Sequence, residues 1–200
     1  MNLPNKLTVV RVFMIPLVIA AIMLGGVIPE YIAYIVAAAL FGLASLTDML
    51  DGKIARKYGL ITDFGKFMDP LADKLMVIGT MLTILYKFEA IRPYFFWAVL
   101  VVIFREFMVT GIRLIAASAP KGEVIAANML GKIKTVTQMA CVLTVLIEPA
   151  LQALVELFVP DYALHGVFPL SIVTTAVMTV FTVWSGVAYL IQYRHFLKDC

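Results

Sequence analysis

Six stretches of mostly apolar residues, separated by short polar segments, organise this chain. Each is long enough for the roughly 20 apolar residues a bilayer-spanning helix needs. The pattern predicts helices over about residues 8–26, 31–53, 67–87, 93–117, 128–148 and 168–192. The first resembles a signal peptide in length. No small-residue cleavage site follows it, however, and Gly25-Gly26 leads straight into Val27, Ile28 and Pro29, so it is expected to remain as a mature helix. Ala37, Ala38, Ala39, Gly42, Ala44 and Ser45 give the second helix a small-residue surface on which neighbours can pack closely. Residues 149–167, with Pro149 and Pro160, read as the longest connection. Leu151, Leu154, Val155 and Phe158 within it are spaced as in a short interfacial helix. No internal repeat is visible.

Composition strengthens the membrane reading. The chain is 62% hydrophobic and 14% charged, against about 45–50% and 25% for a soluble domain. Cys141 and Cys200 form no CxxC pair and are expected to be free thiols, which argues against a disulfide framework or a zinc site. His165 and His195 lie in polar flanks and are expected to meet headgroups or water. Of the 16 Lys and Arg residues, only Lys87 and Arg92 fall on one side of the predicted bundle; the rest share the side of both termini. The positive-inside rule makes that side cytoplasmic.

The acids are not confined to connections. Asp48 and Asp51 close the second predicted helix, and Asp69 and Asp73 open the third. A carboxylate at membrane depth costs at least about 2.5–3.5 kcal/mol, and like charges three or four residues apart share a helix face and repel. Two helices joined by a short loop are expected to be antiparallel neighbours, bringing the four acids together. For any one aspartate, pairing at headgroup level with Lys53, Arg56, Lys66 or Lys74 is an adequate explanation. Four at this spacing favour hard divalent cations, Mg²⁺ or Mn²⁺, and four carboxylates have room for two. Such a pair suits displacement at phosphorus. Gly52 gives a ligand close access to the backbone, Ala55 leaves a slot, and Arg56 offers a planar fork to phosphate oxygens. Gly65 opens the approach to the third helix, and Pro70 suggests that this helix begins close to it. Intramembrane carboxylates also serve divalent-cation transporters, but those usually show interrupted helices and repeated halves.

Written out, the stretch is Asp48-x2-Asp51-Gly52-x2-Ala55-Arg56-x8-Gly65-x3-Asp69-x3-Asp73. It resembles, position for position, the signature of the CDP-alcohol phosphotransferase family. The resemblance implies an all-α polytopic membrane protein with six transmembrane helices, a single catalytic domain over 1–200, a homodimer and a cytoplasm-facing site. It implies two metals on Asp48, Asp51, Asp69 and Asp73, with Asp73 as the base that deprotonates the acceptor alcohol. Asp51, Gly52, Ala55, Arg56 and Gly65 would line the site of the CDP moiety, carried by CDP-diacylglycerol.

The acceptor is read from three further stretches: Pro4-Asn5-x-Leu7-Thr8-x2-Arg11; Arg105-Glu106 with Arg113; and Gly131-Lys132-x-Lys134-Thr135-x2-Gln138. These resemble the bacterial branch of the family that uses glycerol 3-phosphate. A doubly charged acceptor needs cations beside the metals, and Arg105, Arg113, Lys134 and Lys132 are the candidates. Thr8 and Arg11 are expected to cap the same site, Arg11 alternatively anchoring its helix end. Glu106 is a possible partner for either arginine. Lys132 and Lys134, two apart, point to different helix faces; Lys134, on the face of Gln138, is favoured for the pocket. The last third of the chain reads as generic apolar helix. Phosphatidylglycerol (as in a cardiolipin synthase), serine, inositol or an inositol phosphate are the alternative acceptors.

Overall fold

The structure is a computed structural model that describes residues 2–58, 62–118, 129–159 and 166–194; for Leu3, Asp51, Lys53, Ala55, Arg56, Lys57, Asp63, Lys66, Ala117 and Ser118 it describes the backbone alone. His165, His195 and Cys200 lie outside the described residues. Six helices account for the architecture: α1 (Leu3–Met23), α2 (Glu30–Tyr58), α3 (Asp63–Lys87), α4 (Arg92–Ser118), α5 (Met129–Glu156) and α6 (Pro169–Gln192). All except α3 are long and apolar enough to cross a membrane. The first half of α3 carries Asp69, Asp73 and Lys74 among its charges, which lowers its hydropathy although it packs within the same bundle.

The helices close into a ring in the order α1, α2, α5, α6, α4, α3, with α3 also reaching α5 across the middle. Val18, Ile22, Phe41, Met76, Met81, Ile84, Phe95, Val145 and Leu146 fill the interior and are fully buried. The outer surface is apolar too: Phe13, Trp97, Phe104 and Phe107 are exposed, as lipid-facing side chains are. The α2–α3 pairing differs from expectation. Among the described residues these helices touch each other only slightly, and α1 packs along both.

Several helix ends also differ from the periodicity reading, each for a local reason. α1 begins at Leu3, where Asn2 accepts the Asn5 N–H and Pro4 occupies the first turn. α2 continues to Tyr58, so Ala55 and Arg56 are helical rather than part of a connection. α3 begins before Pro70, at Asp63, because Thr62 Oγ1 accepts the Gly65 N–H at 3.1 Å. α5 runs through Pro149 to Glu156, so 149–156 is helix rather than connection. Prolines inside membrane helices are tolerated where the surrounding bundle satisfies the freed backbone groups.

Glu148 explains how α5 and α6 are joined. Phe168, the N-cap of α6, supplies no side-chain cap. Glu148 reaches across from α5 instead, accepting the N–H groups of Leu170 at 3.0 Å and Ser171 at 2.7 Å and the Ser171 hydroxyl at 2.6 Å. The acid is buried because it completes a helix terminus. At the same end of the bundle, the α1–α2 turn places Gly26 at φ 101°, in the left-handed region. Lys87 of α3 donates to the Gly25 carbonyl, and a Cβ on Gly25 would stand 2.8 Å from the Tyr34 ring.

Glu148→Ala leaves the buried Ser171 N–H unpaired, at about 1–3 kcal/mol. It is expected to lower the thermal unfolding midpoint in detergent, with Glu148→Gln losing less because it retains an acceptor.

Candidate active site

At the opposite end of the bundle from Glu148, a cavity of about 910 Å³ opens among α2, α3, α4, α5 and α6. Asp48 and Gly52 of α2 and Asp69 and Asp73 of α3 form one wall. Arg105, Glu106 and Arg113 of α4, with Lys132 and Lys134 of α5, form a second, basic wall. Leu46, Met49, Val136, Met139 and Leu143 make an apolar flank between α2 and α5. The backbones of Asp51, Ala55 and Arg56 belong to α2, but their side chains lie outside the described residues.

The acidic wall is assembled through α1. Arg11, fully buried, brings Nη1 to 2.6 Å from Asp48 Oδ1. One helical turn earlier, Thr8 Oγ1 donates to Asp69 Oδ1 at 2.6 Å. Residues three apart share a helix face, so a single edge of α1 grips an acid from each neighbour. Thr8 and Arg11 therefore stand behind the acids and are not on the cavity lining. They were expected to contact the acceptor; their observed contacts make them supports of the aspartates. Gly65 also sits behind this wall: a Cβ there would be 3.3 Å from both Asn5 Oδ1 and Thr62 Oγ1. Thr62 donates to that Asn5 oxygen at 2.9 Å, so the start of α3 is tied to α1 as well.

With one oxygen of Asp48 and one of Asp69 held from behind, each carboxylate keeps a second oxygen for a ligand. Asp73 Oδ1 is buried and makes no hydrogen bond among the described residues, an arrangement that a cation or a proton would complete. Among the described residues, no three His, Cys, Asp or Glu side chains are close enough to hold an ion by themselves. Mg²⁺ commonly uses one or two carboxylates and takes its remaining ligands from substrate phosphates and water. The donor set, all hard oxygen, fits such an ion bound together with a phosphorylated ligand.

The basic wall is cross-braced. Arg105 Nη1 lies 3.1 Å from Glu106 Oε1, and Lys134 Nζ pairs with that same oxygen. Arg105 Nε donates to Ser185 Oγ at 3.2 Å. Arg113 Nε donates to the Tyr189 hydroxyl at 3.1 Å, with the guanidinium 5.8 Å from the centre of that ring. Lys134 is 5% exposed whereas Lys132 is open to solvent, so the two lysines border the cavity in different environments. Gly186 lets α6 approach Arg105, since a Cβ there would be 3.2 Å from Arg105 Cγ.

Ser185 and Tyr189 show that α6 is more than generic apolar helix. Its buried positions Thr175, Met178, Thr182, Ser185 and Tyr189 recur every three or four residues, and that polar line was the available signal. Thr110, which donates to the Glu106 carbonyl at 2.7 Å and also accepts from Lys74, carried no such signal.

A family model described as CDP-alcohol phosphatidyltransferase matches residues 1–184. A Bacillus subtilis (strain 168) protein named CDP-diacylglycerol–glycerol-3-phosphate 3-phosphatidyltransferase is 42% identical, over 98% of this chain and 97% of its own length. A protein of the same name from Sodalis glossinidius (strain morsitans) is 33% identical over 100% of this chain and 98% of its own. Another from Rickettsia felis is 41% identical over 69% of this chain and 71% of its own.

Removing a hydrogen bond that orients a ligating group typically lowers metal affinity about 10–100-fold. Thr8→Val is expected to weaken Mn²⁺ binding by that order in an electron paramagnetic resonance titration, and Thr8→Ser to stay near wild type.

Proposed function

The chain belongs to the CDP-alcohol phosphatidyltransferase family, and on that premise we propose that it transfers the phosphatidyl group of CDP-diacylglycerol to the sn-1 hydroxyl of glycerol 3-phosphate. The products are phosphatidylglycerophosphate and CMP. The observation that carries this reading is one cavity with carboxylates on one wall and paired cations on the other. The names of the full-length relatives support the choice of donor and acceptor.

Members of the family depend in general on a divalent metal. Asp48, Asp51, Asp69 and Asp73 would hold two such ions, Mg²⁺ or Mn²⁺, which supply positive charge to the phosphoryl oxygens and to departing CMP. Asp51, Gly52, Ala55 and Arg56 line the CDP site, and Gly65 serves it by keeping the start of α3 close to α1. The apolar flank between α2 and α5 leaves the acyl chains in contact with lipid. Arg105, Arg113 and Lys134, with Lys132 at the mouth, receive the phosphate of the acceptor.

Asp73 then takes the proton from the sn-1 hydroxyl. The resulting oxygen attacks the phosphorus that bears diacylglycerol, the bond from that phosphorus to the CMP oxygen breaks, and CMP departs with the electron pair. The proton passes from Asp73 to water. The cavity offers no Cys or Ser paired with a base among the described residues, which favours direct transfer over a covalent enzyme intermediate. The same proposal places the protein in a bacterial plasma membrane as a homodimer. Both termini and the site face the cytoplasm, where the Lys and Arg residues concentrate.

Purified protein given CDP-diacylglycerol, Mg²⁺ or Mn²⁺ and a panel of alcohols is expected to release CMP with glycerol 3-phosphate in preference to inositol, serine or phosphatidylglycerol. Loss of a general base costs about 10²–10⁴-fold. Asp73→Asn is therefore expected to lose at least about 100-fold in turnover while still binding CDP-diacylglycerol; near-normal CMP release by that variant would overturn its role.

A further inference from the structure

Glu106 is the one acid on the basic wall of the cavity. It belongs to α4, and among the described residues α4 and α5 do not pack against each other. The Glu106–Lys134 pair is therefore a side-chain bridge, along the cavity lining, between two helices that do not pack on each other. A single oxygen, Oε1, serves both Lys134 and Arg105. Arg105 is fixed on its other edge by Ser185 of α6. The backbone of Glu106 is tied in turn to Thr110, which accepts from Lys74 beside Asp73.

Two cations facing one small volume repel each other, and a lysine as buried as Lys134 needs an anion to remain charged and in place. Sharing Oε1 supplies that anion and leaves Arg105 Nη2 and the remaining Lys134 protons available for a second one. We propose that Glu106 is a positioning residue. It holds Arg105 and Lys134 together on the cavity lining as a preformed cradle for the phosphate of the acceptor, without itself touching the reacting atoms. This role rests on the acceptor reading above. It predicts that Glu106 matters to one substrate and not to the other, because the CDP moiety is held from the acidic wall.

The test is steady-state CMP release with each substrate varied in turn, for wild type, Glu106→Gln and Glu106→Asp, beside thermal unfolding of each in detergent. Glu106→Gln is expected to raise KM for glycerol 3-phosphate by about tenfold or more, as loss of one member of a buried charge pair does. KM for CDP-diacylglycerol should stay within about twofold, and Glu106→Asp, which keeps the charge, should recover part of the loss. An unchanged KM for glycerol 3-phosphate overturns the proposal. A lowered one also does, because it would make Glu106 a competitor of the phosphate. Equal rises for both substrates, with a matching fall in the unfolding midpoint, would mean a merely structural role and overturn it too. Should Glu106→Gln not fold, Glu106→Asp is judged by the same comparison of the two KM values. A wild-type protein inert toward glycerol 3-phosphate would sink the acceptor reading and this role together; an active wild type with an unresponsive Glu106 variant would sink this role alone.

Discussion

Arg11 against Asp48, with Thr8 against Asp69 one turn away, is the constraint from which the site is built. The acidic ends of α2 and α3 repel each other and barely touch. They are held in register by α1, a third helix with a buried guanidinium and a hydroxyl on one edge. The Arg11 guanidinium is fully buried while the Asp48 carboxylate is one-third exposed, so the pair is screened less than a surface salt bridge is. Asn5, Thr62 and the absence of a Cβ at Gly65 extend the same grip to the start of α3. Asp48 and Asp69 are thereby each fixed through one carboxylate oxygen.

The basic wall solves the complementary problem. Arginine and lysine within helices that cross a bilayer are expensive unless they are paired or line a wet cavity. Here Arg105, Arg113 and Lys134 have partners of matching chemistry in Glu106, Ser185 and Tyr189. The cavity thus sets acid against base across the volume where a diphosphate and a phosphate must meet. The acidic wall is braced from behind by Thr8 and Arg11, and the basic one by Glu106, Ser185 and Tyr189, which themselves line the cavity. Preorganised charge of this kind is what transfer at phosphorus demands, since the protein contributes mainly position and electrostatics.

Much of this was legible in the chain. Six apolar blocks mark six helices, and the spacing of Asp48, Asp69 and Asp73 marks the acids that the cavity collects. The hidden parts depend on contacts far apart in sequence. Thr8 and Arg11 are visible as a motif, but nothing local says that they face carboxylates 61 residues away, as Thr8 does, rather than a ligand. Direct packing of α2 on α3 was the natural inference from a short loop, and among the described residues it fails, α1 packing along both instead. Pro70 and Pro149 look like boundaries, yet α3 starts at the Thr62 cap and α5 runs through Pro149 to Glu156. Ser185 and Tyr189 were concealed by the hydropathy of the helix that carries them, although their period was there to be read.

If α1 holds the acidic helices in register, the distance between α2 and α3 depends on it. Spin labels at Leu50→Cys on α2 and Phe67→Cys on α3, both exposed positions, would be placed in protein lacking Cys141 and Cys200 and reconstituted in lipid nanodiscs. Double electron–electron resonance should then return a single narrow distribution when α1 is intact, and a broadened or lengthened one when Arg11→Met is combined with Thr8→Val. Identical distributions in the two proteins would mean that α2 and α3 keep their register unaided, contradicting the account.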